Sequence, residues 1–341
     1  MAVPGTFQGQ SLVLAHAAAG PRDRVRDRAV PAAAVAVAVA PDAVGPTLAR
    51  EMLAHAAATD WTLAPLQLIP LVALVVAYEW RARTLGRRGT PVPAWRHVLM
   101  WVSVVLLLAA LVTPIDSYGE TDLFAVHMVQ HVLLGDLAPL AFVASLTGPL
   151  LRPVLALPVI GKLRVLAHPF IALPLWAVNL YIWHVPALYE AALRHDSVHA
   201  LEHVCFFTAG ALMWAPVVEV LPGPAWFGTG AKLGYIVVVR LIETVLGNIF
   251  LWSGTVFYPF YAAGEAAHDV SPLRDQGWAG TVMMLEGSLV TLGALAWLFL
   301  RLAAEGELKQ ELIESGVDPQ VARRAVRYGR GADLLPPARP S

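Results

Sequence analysis

Residues 97–114 read HVLMWVSVVLLLAALVTP, and this stretch decides the fold. After His97 it carries no ionisable side chain. As an α-helix rising 1.5 Å per residue it covers about 27 Å, close to the hydrocarbon thickness of a bilayer. Comparable apolar stretches recur at about 62–80, 123–147, 169–185, 200–221, 233–253 and 279–300. The spacing predicts an all-α, polytopic membrane bundle of seven transmembrane helices. Composition agrees: of 341 residues 57% are hydrophobic and only 14% charged, where soluble domains carry roughly a quarter charged, and mean hydropathy is +0.60. The 24 Lys+Arg against 25 Asp+Glu leave no basic footprint for nucleic acid. A single cysteine, Cys205, excludes an internal disulfide framework, a Cys-rich zinc site and an iron–sulfur cluster.

Three parts follow along the chain. Residues 1–60 read as a poorly ordered N-terminal extension, with a charged cluster at 22–28 and an Ala/Val run at 32–40 too short to span. Residues 61–302 form the membrane domain, and 303–341 a polar cytoplasmic tail, part helical and part disordered. Basic residues sort the loops. Arg81, Arg83, Arg87, Arg88 and Arg96 link the first two segments; Arg152, Lys162 and Arg164 link the third and fourth; Arg323, Arg324, Arg327 and Arg330 lie in the tail. The second-to-third link instead holds Asp116, Glu120 and Asp122. By the positive-inside rule the N-terminus lies outside and the C-terminus in the cytoplasm.

That orientation gathers histidines on one side. The third segment enters from outside with His127 and His131, four residues apart and so on one helix face. The fourth exits at Trp183-His184, and the fifth begins with His195, His199 and His203, with Glu202 beside the last. His195 and His268 belong to exposed loops and fall outside the candidate group. Ionisable groups within a span are costly and so point to function. Imidazole suits copper, zinc, iron and nickel, whereas thioether favours Cu(I). The candidate metal ligands are therefore His127, His131, His184, His199 and His203. Glu202, Met128, Met283, Asp136 and Glu286 are auxiliary or supporting groups. Asp136 and Glu286 read as unconnected acids, with Glu286 about two turns into the seventh segment. Arg240 and Glu243, three apart, read as a structural ion pair. No phosphate-binding loop, dinucleotide fingerprint, GxSxG or HExxH motif is present.

The segment from Ala125 to Leu134, AVHMVQHVLL, resembles the HMxQHxLL signature of the CtaG-like cytochrome c oxidase assembly proteins. So do WHVPALYEAAL at 183–193, HALEH at 199–203, the stretch from Leu246-Gly247 to Tyr258-Pro259, and PLRDQ at 272–276. The resemblance spans roughly residues 60–302. It implies a multi-pass protein of the bacterial plasma membrane that helps to mature a haem–copper oxidase by helping copper to reach it. Oxidase subunits and membrane lipid are the implied partners, with copper chaperones as further candidates. Glu286 departs from the family pattern, as does the N-terminal extension. The leading expectation is a non-enzymatic assembly factor handling copper at the outer ends of the third to fifth helices. The alternatives are a haem-binding redox protein and a metal transporter that uses the histidines as its entry.

Overall fold

The computed structural model describes residues 61–335 except 64 and 222. The N-terminal extension, with His16 and His55, and the end of the tail lie outside the described residues. Among those described there are helices and turns and no strand.

Helices α1 (Pro65–Arg87) and α2 (Ala94–Val112) form a hairpin turned at Gly89, whose φ of 78° suits a residue without a side chain. The short α3 (Pro114–Thr121) starts on Thr113, whose hydroxyl accepts from the Ile115 N–H, while Pro114 fills a first-turn position that needs no donor. The long α4 (Phe124–Ser145) contains a π turn at Leu133–Leu137, where the Ala138 N–H reaches back five residues to Leu133. Pro139 accounts for it. It has no N–H for the Gly135 carbonyl and its ring presses on that group, so the widened turn absorbs the conflict. The sequence places a break near Pro139 and Gly148; the helix bulges just before the first and ends short of the second.

Beyond it run α5 (Gly148–Leu155), α6 (Pro158–Leu163), α7 (Pro169–Trp183) and α8 (Pro186–Arg194). They are followed by α9 (Asp196–Val218), α10 (Thr229–Trp252), α11 (Ala262–Ala267), α12 (Pro272–Glu314) and α13 (Pro319–Arg327). Five of these, α2, α4, α9, α10 and α12, are long and apolar enough to cross a membrane. The expected first and fourth segments are helices too, but they fall short of that standard. α1 carries Glu79, Arg81 and Arg83 in its second half. α7 has only 15 residues and meets the turn before it at 74°, which together would make a sixth, bent span.

Outward-facing apolar residues show what surrounds the bundle. On α12, Leu285, Leu289 and Leu292 are 60%, 64% and 67% exposed. A stripe of this kind has no partner in water and is solvated by hydrocarbon in a bilayer. The protein is a multi-pass membrane protein. α12 continues for 43 residues, about 65 Å, so the passage from membrane domain to tail falls inside one helix. α13 then folds back, and the ion pairs around Glu219 hold it. That residue, in the left-handed region at φ 60° after α9, bonds Arg327 at 2.9 Å, Arg301 at 2.7 Å and Lys232 at 2.9 Å.

The core forms around α4. Phe124, Met128, Trp183, Tyr189, Phe206 and Phe250 pack on one side of it, and Met100, Val104, Leu107 and Leu134 on the other. Helices α4 and α9 approach most closely at two glycines: a Cβ on Gly210 would stand 2.0 Å from the Gly135 carbonyl oxygen.

Candidate metal centre

The start of α4 sets the position of its histidines. Leu123 supplies no side-chain cap. Instead the Asp275 carboxylate, from the first turn of α12, accepts from the N–H groups of Phe124 and Ala125 at 2.6 and 3.0 Å. Glu265 on α11 lies against Asp275, and burial, then the neighbouring Asp275 charge, pushes its carboxyl up to about 7 from an ordinary 4.5. A carboxyl raised in the folded state contributes stability that is complete below its unfolded pKa and is lost as pH rises through its folded one. The melting temperature should therefore fall as pH rises from about 4.5 to about 7 and level off above that, and Glu265→Gln, which keeps the neutral form, should flatten that slope. A variant with the wild-type slope would show that Glu265 does not carry it.

His127 is fully buried, and its Nδ1 lies 3.0 Å from the Gly119 carbonyl, beside the Tyr261 hydroxyl at 3.2 Å. A carbonyl only accepts, so Nδ1 carries the proton and Nε2 offers a lone pair. That Nε2 lies 2.8 Å from Nε2 of His131. Glu202 of α9, also fully buried, brings Oε1 to 3.5 Å from the same His131 nitrogen. Among the described residues neither Glu202 oxygen, nor Nδ1 of His131, has a hydrogen-bond partner. Ligand atoms of His127, His131 and Glu202 all lie within 4.8 Å of one another. Two nitrogen lone pairs at such a distance need a proton or a cation between them.

The other candidates surround this group. His199 donates or shares a proton with Glu120 at 2.6 Å through Nδ1, and its Nε2 is buried without a partner among the described residues. Its ring lies 5.6 Å from that of His127. His184, ending α7, gives Nδ1 to the Leu180 carbonyl and sets Nε2 3.4 Å from the Met128 sulfur. Its ring is 5.8 Å from His131. His203 stands farther off, at 6.4 Å from His131, and turns Nδ1 to Gln67 of α1 at 3.2 Å. His195 is exposed and His268 bonds Asp122 at 2.8 Å, both outside the group.

Asp136, Glu286 and Met283 lie apart from the three ligands but share with His131 and His184 a cavity of about 50 Å³. The acids that read as unconnected meet there: Asp136 accepts from Trp214 and bonds Glu286, and Glu243 lines the same space. Glu286 sits about two turns beyond the start of the apolar stretch at 279 and nearly four turns along α12, which begins earlier, at Pro272. Arg240 pairs with Glu243 at 3.9 Å and donates to the Met284 carbonyl at 2.9 Å, joining α10 to α12.

Sequence reasoning missed Glu120, Gln67, Tyr261 and Asp275 as supports. Tyr258, which donates to the His184 carbonyl at 2.7 Å, and Asp275 lie in stretches that carry the resemblance. Chemically, two imidazoles and a carboxylate suit Cu(II) or Zn(II), and the adjoining imidazole–thioether pair suits Cu(I). Gly119 and Glu120 hold ring nitrogens on the far side, as second partners of ligating histidines do.

A family model described as cytochrome c oxidase caa3 assembly factor (Caa3_CtaG) matches residues 76–305. The chain belongs to this family. The match takes in α4, α7 and α9, and with them all five candidate histidines and Glu202. It begins within α1, so the Caa3_CtaG pattern leaves Gln67 and the N-terminal extension outside. No curated protein and no solved structure matches the chain.

Proposed function

We propose that this cytochrome c oxidase assembly factor handles copper, taking it up at the His127–His131–Glu202 group and passing it to the oxidase without catalysing a reaction. One observation carries this reading. Two imidazole nitrogens stand 2.8 Å apart beside a buried carboxylate that has no other partner among the described residues. Burying such a charge unpaired is costly, and a bound cation would offset that cost. His199 is the nearest completing ligand, and His184 with Met128 forms an adjoining softer pair suited to Cu(I) on its way out. Copper is here a cargo.

The topology that suits this task is seven spans in a bacterial plasma membrane, with α1 and the bent α7 counted among them. The N-terminus is then outside and the histidines lie near the outer face. Oxidase subunits are the receiving partner, copper chaperones the supplier, and lipid the surroundings. Haem is the weaker reading for these histidines, because axial ligands must face each other across a macrocycle. Here the Nε2 atoms nearly touch, and the adjoining cavity is about 50 Å³. Metal analysis of detergent-purified protein, with its visible spectrum, tests the proposal. Bound copper without a Soret band is expected; a Soret band, or no copper above background after loading, would overturn it.

A further inference from the structure

A cation bound at His127, His131 and Glu202 has to reach them, and all three side chains are buried. Tyr189 and Tyr261, which lie against His127, are buried as well. Among the described residues, two partly exposed polar side chains bond a candidate histidine: Gln67 at His203 and Glu120 at His199. They differ in charge and in surroundings. Gln67 is neutral and borders an apolar cavity walled by Leu71, Leu74 and Leu107. Glu120 is an anion whose side chain is 35% exposed. It lies on α3, which is eight residues long, also carries Asp116, Ser117 and Thr121, and is not among the helices able to cross a membrane. A hydrated cation can come to such a polar helix, whereas hydrocarbon excludes it from the Gln67 side. The cavity at His131 and His184 is walled by Trp176, Leu180 and Met283, within the apolar stretches of α7 and α12, and has the same barrier in front of it.

From Glu120 inward the groups follow one another closely. Its Oε1 lies 2.6 Å from Nδ1 of His199, which is buried and belongs to the first turn of α9. A carboxylate on Nδ1 holds the proton there, leaves the Nε2 lone pair for a metal and makes the imidazole a better ligand. The His199 ring lies 5.6 Å from that of His127. The residue before Glu120 meets His127 directly, because the Gly119 carbonyl accepts from its Nδ1 at 3.0 Å. One turn of α3 thus touches both rings. Between Thr113 and Leu123 the chain carries Asp116, Glu120 and Asp122 and no Lys or Arg, so this turn attracts cations.

We propose that Glu120 is where the cation enters from water, and that His199 takes it from Glu120 and passes it to His127. Glu120 then governs how fast the metal arrives, while Glu202 governs how tightly it is held. This inference rests on the copper reading of the buried group and adds the route into it.

The separation of rate from affinity gives the test. Detergent-purified, metal-free protein is mixed with Cu(II) in a stopped-flow instrument, with uptake read by quenching of tryptophan fluorescence and the amount bound at saturation by metal analysis. Glu120→Gln, which can still accept from His199, should lower the on-rate by about tenfold or more, the lower end of what a charge-lined entrance supplies. Its copper content at saturation and its melting temperature should stay as in the wild type. Added salt should slow the wild type and slow the variant less. Glu120→Asp, which restores the charge, should recover most of the rate. Glu202→Gln should show the opposite split, a faster off-rate with an on-rate near the wild-type value. Glu190→Gln, which removes a carboxylate paired with Arg194 and away from the histidines, is the control and should keep the wild-type on-rate. A wild-type on-rate and salt dependence in Glu120→Gln, with copper still bound, would overturn the entry and leave the copper reading standing. A slow rate that Glu120→Asp does not recover would reduce Glu120 to a support for His199, and overturn it too. A wild type that takes up no copper would overturn the copper reading and the entry with it.

Discussion

Detergent-purified Glu202→Gln protein is expected to bind copper at least about 100-fold more weakly than the wild type, and yet to melt at a higher temperature when metal-free. The two effects share one cause. The Glu202 carboxyl is fully buried and its oxygens have no hydrogen-bond partner among the described residues, so without a cation it is an uncompensated polar group at the centre of the bundle. The amide removes the charge while nearly keeping the shape. His131→Ala should lose copper to a similar degree, because its Nε2 is the atom shared between His127 and Glu202, but without the gain in stability, since it leaves a cavity. His195→Ala, exposed and away from the group, is the control and should bind as the wild type does. The measurements are isothermal titration with copper and a melt in chelator. Wild-type affinity in Glu202→Gln would remove the carboxylate from the site.

Gly210→Ala is expected to be severe for a single methyl group. Its Cβ would meet the Gly135 carbonyl oxygen at 2.0 Å and the Pro139 ring at 3.0 Å; the first is backbone of the π turn and the second a ring closed onto the backbone, so neither can swing aside. The clash can be relieved only by moving α9 away from α4. Overpacking of this kind costs about 1–3 kcal/mol, occasionally more. The same displacement would lengthen the 3.5 Å approach of Glu202 to His131, so copper affinity should fall together with the melting temperature. Gly293→Ala on α12, with nothing within 4 Å of its Cβ, should be neutral or mildly stabilising. If Gly210→Ala melts and binds as the wild type does, the helix crossing does not govern the site.

What could be read from the sequence, and what could not, divides along a physical line. The HxxxH spacing at His127 and His131 fixes a shared face wherever the helix lies, and the structure brings that pair together. On α9 the same argument leaves a choice. Glu202 and His203 flank His199 by roughly 60° and 40° about the helix axis, and only the rotation of α9 in the bundle decides which of them meets α4. It is Glu202, while His203 turns to Gln67 on α1. Contacts such as His199 with Glu120, or Asp275 with the start of α4, join elements distant in sequence, and no periodicity encodes them. The start of α12 is not legible in the sequence, because it lies in the polar run at Pro272, ahead of the first strongly apolar residues, while Glu286 lines a cavity with His131 and His184.

The π turn has a bearing on how this chain can change. In a regular α-helix, His131 and Asp136, five residues apart, would point about 140° away from each other; with the turn between them they line one cavity. The turn behaves as a single extra residue held in the helix. A variant lacking one residue of 133–137 would form a regular helix with better hydrogen bonds and leave everything beyond it facing nearly as before, because four α-helical residues turn about 400°. Winding the full-length segment as a regular helix would instead rotate the rest by about 100°. The chain can therefore lose this one residue and keep the facing of Asp136, whereas an added residue, or a change that lets the full-length segment wind as a plain α-helix, would turn Asp136 and all beyond it away from the histidines.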